Sequence, residues 1–134
     1  MNLIVCVDDR NGTMFNGRRQ SQDRILREYL LKLCGGRLWM NSFSAGQFKR
    51  KDGLVIRENF LEVVPKGEFC FLEDQPCLAF EDRIEQVILC KWNRTYPSDQ
   101  KFDIPLSDHG WRCVSRREFP GSSHEKITVE VYER

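Results

Sequence analysis

Met1-Asn-Leu-Ile-Val-Cys-Val-Asp-Asp-Arg-Asn-Gly12 opens the chain, and its reading decides the fold. Leu3–Val7 is an unbroken apolar run closed by Asp8-Asp9-Arg10-Asn11-Gly12. A β-branched run of this kind, ended by turn residues, reads as a strand buried on both faces in the middle of a sheet. Asn-Gly marks the exit turn because both residues tolerate positive φ. In an open α/β sheet, ligands bind beyond the carboxyl ends of such strands, so Val7–Gly17 is the first place to look for chemistry.

Outward from this strand, Ser21–Gly36 carries Ile25, Leu26, Tyr29, Leu30 and Leu33 on one helical face. Ser21 is the expected N-cap, Asp23 falls in the first turn, and Gly35-Gly36 stop the helix. Arg37–Asn41 reads as a short strand followed by a small polar turn, Ser42–Gly46. Gln47–Gly67 is weakly patterned, with a basic run at Lys49–Lys51 and apolar pieces at Leu54–Ile56 and Phe60–Val64. Phe69–Leu72, ending at Glu73-Asp74, and Val87–Trp92 read as further buried strands, the second introduced by a helix-like segment at Cys77–Arg83. Trp111–Arg116 and Ile127–Tyr132 alternate with period two, as an antiparallel pair with unlike faces does. The fold class predicted is a mixed, mostly parallel α/β sheet with flanking helices and a C-terminal antiparallel hairpin, in one domain spanning residues 1–134.

Composition narrows the function classes. The chain has 134 residues, 40% apolar, enough for a real core. With 21 basic and 20 acidic residues, the net charge of +1 gives no field that draws in nucleic acid or a membrane surface. No apolar run approaches the ~20 residues of a membrane span, and no basic-then-apolar signal pattern opens the chain. Cys6, Cys34, Cys70, Cys77, Cys90 and Cys113 include no C-x-x-C pair, and His109 and His124 fall in different loops, so no metal site is expected. A reduced, cytoplasmic protein is the plain reading. His124 reads as a solvated loop histidine, an acid or base only if a carboxylate comes near it. Trp39, Trp92, Phe69 and Phe71 read as core.

At this point the chain resembles dihydrofolate reductase. Leu3–Gly12 is similar to that family's first strand and exit turn. Gly36-Arg-Leu-Trp-Met-Asn-Ser-Phe-Ser44 follows its second strand and hydroxyl-bearing turn. Trp111–Pro120 and Val129–Arg134 are similar to its last hairpin, so the likeness spans roughly two-thirds of the chain. The resemblance implies an acid on the first helix, for which Asp23 is the candidate. It also implies an NADPH site, with Ser44, Lys49, Arg50, Glu73 and Asp74 as cofactor-side candidates, and a substrate crevice lined by Cys6, Asp8, Tyr29 and Cys90.

The chain departs from that pattern at several positions. The family's Gly-Gly turn for the pyrophosphate is Leu72-Glu73-Asp74 here, and Gln47–Glu68 is abbreviated. The family's Gly-Arg is Asn41-Ser42, its late-strand threonine is Cys90, and no tryptophan stands near Arg18–Gln20. One carboxylate at about 4 Å from a phosphate costs roughly 4 kcal/mol at an effective dielectric near 20.

The expectation is therefore a dihydrofolate-reductase-like protein with a degraded NADPH site. It would bind a small molecule or a partner without the standard reaction, and no cofactor is expected. The alternative is an active NADPH-dependent reductase of a pteridine or related heterocycle, with Asp23 as proton donor and Ser44 with Lys49–Lys51 on phosphate. A nucleic-acid module using Arg18-Arg19, Arg24, Lys49–Lys51 and Arg116-Arg117 is disfavoured by the near-neutral charge. A strand left exposed by the abbreviated region is expected to pair with a second copy, giving a homodimer.

Overall fold

The computed structural model describes residues 1–134. The opening run forms β1 (Asn2–Val7), parallel on one side to β6 (Phe69–Leu72) and on the other to β7 (Gln86–Lys91). The main sheet extends from this centre through β4 (Leu38–Met40) to the edge strand β5 (Leu54–Ile56). On the other side β10 (Ile127–Glu133) runs antiparallel to β7 and carries the edge strand β9 (Arg112–Phe119). Seven strands thus stand in the order β5-β4-β6-β1-β7-β10-β9. This is the mixed, mostly parallel sheet that the buried runs imply.

Alternate residues of β1 face two cores, as the pleat requires. Leu3, Val5 and Val7 meet Phe60, Leu61, Ile84, Phe102, Ile104 and Trp111 on one face. Ile4 packs with Leu26 and Leu30 of α1 (Arg24–Leu33) and with Phe71, Ile88 and Cys90 on the other. Fully burying a Leu, Ile or Phe contributes about 1.5–3 kcal/mol, so a strand buried on both sides anchors both layers.

Two local readings change, and a second sheet is added. The α1 cap is Asp23 rather than Ser21: Asp23 is extended (φ −152°, ψ 127°), and its Oδ1 accepts from the Leu26 N–H at 3.1 Å. Asp caps as well as Ser does, and periodicity alone places the start two residues early. Ser42–Gly46 is not a simple turn but a short helix, α2 (Ser42–Ala45), capped by the Asn41 side chain on Ser44 N at 3.0 Å. Met14-Phe15 belongs to a small second sheet in which β2 (Gly12–Phe15) pairs with β3 (Arg18–Arg19) and β8 (Gln100–Lys101). A further short helix, α3, covers Phe60–Val63, and a 3-10 helix covers Leu78–Arg83. Gly35 (φ 65°) and Gly36 (φ 82°) end α1 in the left-handed region, with the Gly36 N–H on Leu31 O at 3.2 Å. No helix is long and apolar enough to cross a membrane.

Candidate functional site

The parallel strands end together, so the residues just beyond them form one edge: Asp8 after β1, Asn41 after β4, Glu73-Asp74 after β6 and Trp92 after β7. This is where an α/β sheet holds a ligand. Here the edge is occupied by the chain's own groups. Asp8 Oδ1 accepts from the N–H groups of Arg10 and Gly12 at 2.9 and 2.7 Å. Its Oδ2 accepts from Gln20 Nε2 and Tyr96 N at 3.2 and 3.0 Å. Burial raises the Asp8 pKa, but these hydrogen bonds outweigh it and hold the carboxyl below the usual aspartate range.

Glu73 and Asp74 do not present a bare acidic pair. Arg19 of β3 reaches buried Glu73 with Nε on Oε2 at 3.1 Å and Nη2 on Oε1 at 3.3 Å. The same guanidinium donates to Phe43 O at 2.9 Å and lies 4.5 Å from the centre of the Phe43 ring. Gln47 Nε2 donates to Glu73 Oε1 at 3.1 Å, and Asn41 Nδ2 donates to Asp74 Oδ1 at 2.9 Å. In the sequence Arg19 reads only as one of several basic residues; nothing local in the chain signals its reach to a residue 54 positions away.

Ser44 is fully buried and its Oγ has no hydrogen-bond partner, one of only two such side-chain atoms, the other being Gln20 Oε1. Cys6 and Cys90 lie side by side on β1 and β7. The neighbouring Cys90 thiol, with burial, raises the Cys6 pKa well above its usual value. Tyr29 instead packs against Phe119, ring centres 4.9 Å apart and planes tilted by 34°. Lys49 and Arg50 are exposed on the outer side of α1, lining a surface cavity with Arg24, Arg27 and Glu28. Cys6, Asp8, Ser44, Glu73, Asp74 and Cys90 therefore cluster at or near one edge, while Lys49 and Arg50 stand away from it. No cavity is lined by Cys6, Asp8, Asp23, Tyr29, Ser44, Glu73, Asp74 or Cys90. The largest cavity, about 550 Å³, lies instead against Leu89, Phe102, Ile104, Trp111 and Tyr132, with Lys91 and Asn11 among its polar groups.

Asp23 is the most heavily coordinated carboxylate in the chain. Besides capping α1 it accepts from Ser122 N and Oγ, Ser123 N, and His124 Nδ1, the last at 2.9 Å. Burial raises its pKa, but the bonds from His124, Ser123, Ser122 and Leu26 outweigh this and drive it well below the usual range. His124 is therefore not a solvated loop residue: it is 5% exposed and its ring stacks on Trp92 at 4.5 Å. Its Nε2 lies 2.9 Å from Ser21 Oγ and 3.2 Å from Tyr96 OH. Gly121 lets the loop approach this closely, because a Cβ there would strike Asp23 Oδ2. A histidine on the loop of the last hairpin is separated from Asp23 by 101 positions, so only the fold brings them together.

No known family's sequence model matches the chain, and no curated protein is similar to it in sequence. Solved structures do match. A dihydrofolate reductase from Enterococcus faecalis, complexed with NADP(H) and RAB-propyl, superposes with a TM-score of 0.68. The match covers 99% of this chain and 95% of that one, at 11% sequence identity. At that identity the likeness is one of architecture: the chain has a dihydrofolate-reductase-like fold.

Proposed function

We propose that this protein keeps the reductase-like scaffold as a small-molecule- or partner-binding domain and does not carry out the NADPH-dependent reaction. One observation carries the reading: Arg19 lies across the carboxyl end of β6, paired with Glu73 and Phe43 O, where a dinucleotide would need open backbone. The residues at this edge fit NADPH poorly. Lys49 and Arg50 stand apart from the edge, and Glu73 already has its cation. Asp23 also makes a poor proton donor, since five hydrogen bonds favour its ionised form. A cavity of about 550 Å³ falls in the size range of small-ligand sites and offers this domain a different place to bind.

The second reading, an active reductase, draws on one observation. The buried Ser44 hydroxyl has no partner, and an orphaned buried hydroxyl costs about 1–3 kcal/mol unless something binds it.

Titration with NADPH, followed by dihydrofolate, separates the two. Flat nicotinamide fluorescence and flat absorbance at high protein concentration are expected; saturable quenching with turnover would establish the reductase. We also propose a reducing compartment, in keeping with six free cysteines, and a homodimer formed along a sheet edge. The edge beside the abbreviated region, β5, has only three residues, whereas β9 has eight, seven of them exposed, and sets Val114 at 54% exposure. β9 is therefore the edge favoured for pairing with a second copy.

A further inference from the structure

We infer that Ser21, His124 and Asp23 form a nucleophilic relay that accepts the acyl group of a small carboxylic ester. The inference rests on this cluster alone and stands or falls separately from the binding reading above.

The proton order follows from the contacts. Asp23 accepts backbone N–H groups on both oxygens, which marks it as a carboxylate, so the proton between it and His124 sits on Nδ1. The Nε2 lone pair is left facing Ser21 Oγ at 2.9 Å. Nucleophile, base and orienting carboxylate thus stand in series at 2.9 Å each, the geometry that activates a serine hydroxyl. Trp92 stacks flat on the imidazole, with 21° between the planes, and the close approach at Gly121 pins the loop that carries it.

Two features argue that this is more than a clamp for the last hairpin. Asp23 already caps α1, so the Ser21 hydroxyl serves no capping role, and His124 is its only side-chain partner. Exposure is also graded in the direction a reaction needs. The Asp23 and His124 side chains are 0% and 2% exposed, whereas Ser21 is half-buried and meets solvent. Tyr96 OH lies 3.2 Å from the same Nε2, placed to accept a hydrogen bond from it once Nε2 holds the Ser21 proton.

In the acylation step Ser21 Oγ bonds to the ester carbonyl carbon while its proton passes to His124 Nε2. The tetrahedral oxyanion collapses, the bond to the alcohol oxygen breaks, and the Nε2 proton leaves with the alcohol. Water then attacks the Ser21 ester and gives its proton to Nε2. Release of the carboxylic acid returns that proton to Ser21 Oγ. No oxidant or reductant enters.

The test uses p-nitrophenyl acetate and a fluorophosphonate probe on the whole chain, read by release of nitrophenol and by peptide mass spectrometry. One adduct per chain at Ser21 is expected, absent from Ser21→Ala and lost when the wild type is unfolded in urea. Ser21→Ala should keep its thermal midpoint, so that loss of the adduct reads as loss of the nucleophile and not of the fold. The proposal is overturned if Ser21 carries no adduct in the folded wild type. It is equally overturned if adducts spread evenly over exposed serines such as Ser107, Ser115 and Ser122.

Discussion

Replacing Arg19 by alanine probes the closed edge most informatively, because three separate contacts end at once. The ion pair with Glu73 is partly buried, with side-chain exposures of 21% and 7%. Solvent screening on the Arg19 side limits it to about 1 kcal/mol. The hydrogen bond to Phe43 O contributes about 1 kcal/mol, and the cation over the Phe43 ring about 0.5–1 kcal/mol. Arg19→Ala should therefore cost about 3 kcal/mol. With a urea m-value of about 2 kcal/mol/M for a chain of this size, the midpoint falls by about 1.5 M. Pairing it with Glu73→Gln in a double-mutant cycle isolates the charge contact, expected at about 1 kcal/mol. A coupling below about 0.3 kcal/mol would show that Arg19 does not sit on Glu73 in solution, and the closed-edge reasoning would fail.

Other outcomes follow from the same geometry. Asp23→Ala should lose about 3 kcal/mol, from the α1 cap and the stranded Ser122, Ser123 and His124 donors, measured by urea unfolding. Asp23 has its folded pKa below its ordinary value of 3.8, so its stabilisation is present above about pH 4 and is lost as pH falls; the gap between wild type and Asp23→Ala should narrow on acidification. A thiol reagent should modify exposed Cys113 at once in the native protein. Cys70, pushed up to about 12 chiefly by burial, should react only on unfolding. Light scattering should give the mass of a dimer, reduced to that of a monomer by Val114→Lys on the β9 edge, and a wild-type monomer would refute the pairing.

What could be read from the chain, and what could not, divides by the range of the contacts. β1, β6 and β7 announce themselves as short apolar runs because parallel strands here are buried on both faces. α1 shows its period through Leu26 and Leu30, and β10 its alternation through Ile127, Val129 and Val131. These are local patterns, and the fold follows from them. The site does not. Arg19 is one of two adjacent arginines with nothing to distinguish it until β3 pairs with β2 and carries it to Glu73. His124 looks like any loop histidine until the last hairpin folds back on α1. Asp23 was legible as a residue of interest, but its role turns on partners 99 to 101 positions away. Ser44 stands out in the sequence for its hydroxyl, and only the fold shows that this hydroxyl is buried without a partner.

The claim on which the account rests is that the chain's own Arg19 fills the edge where a dinucleotide would lie. The side-chain Nε–H of Arg19, followed by ¹H–¹⁵N NMR during titration with NADPH, reports on that place directly. The account predicts a slowly exchanging resonance that stays fixed up to millimolar cofactor. A saturable shift of that resonance, with release from Glu73, would contradict it.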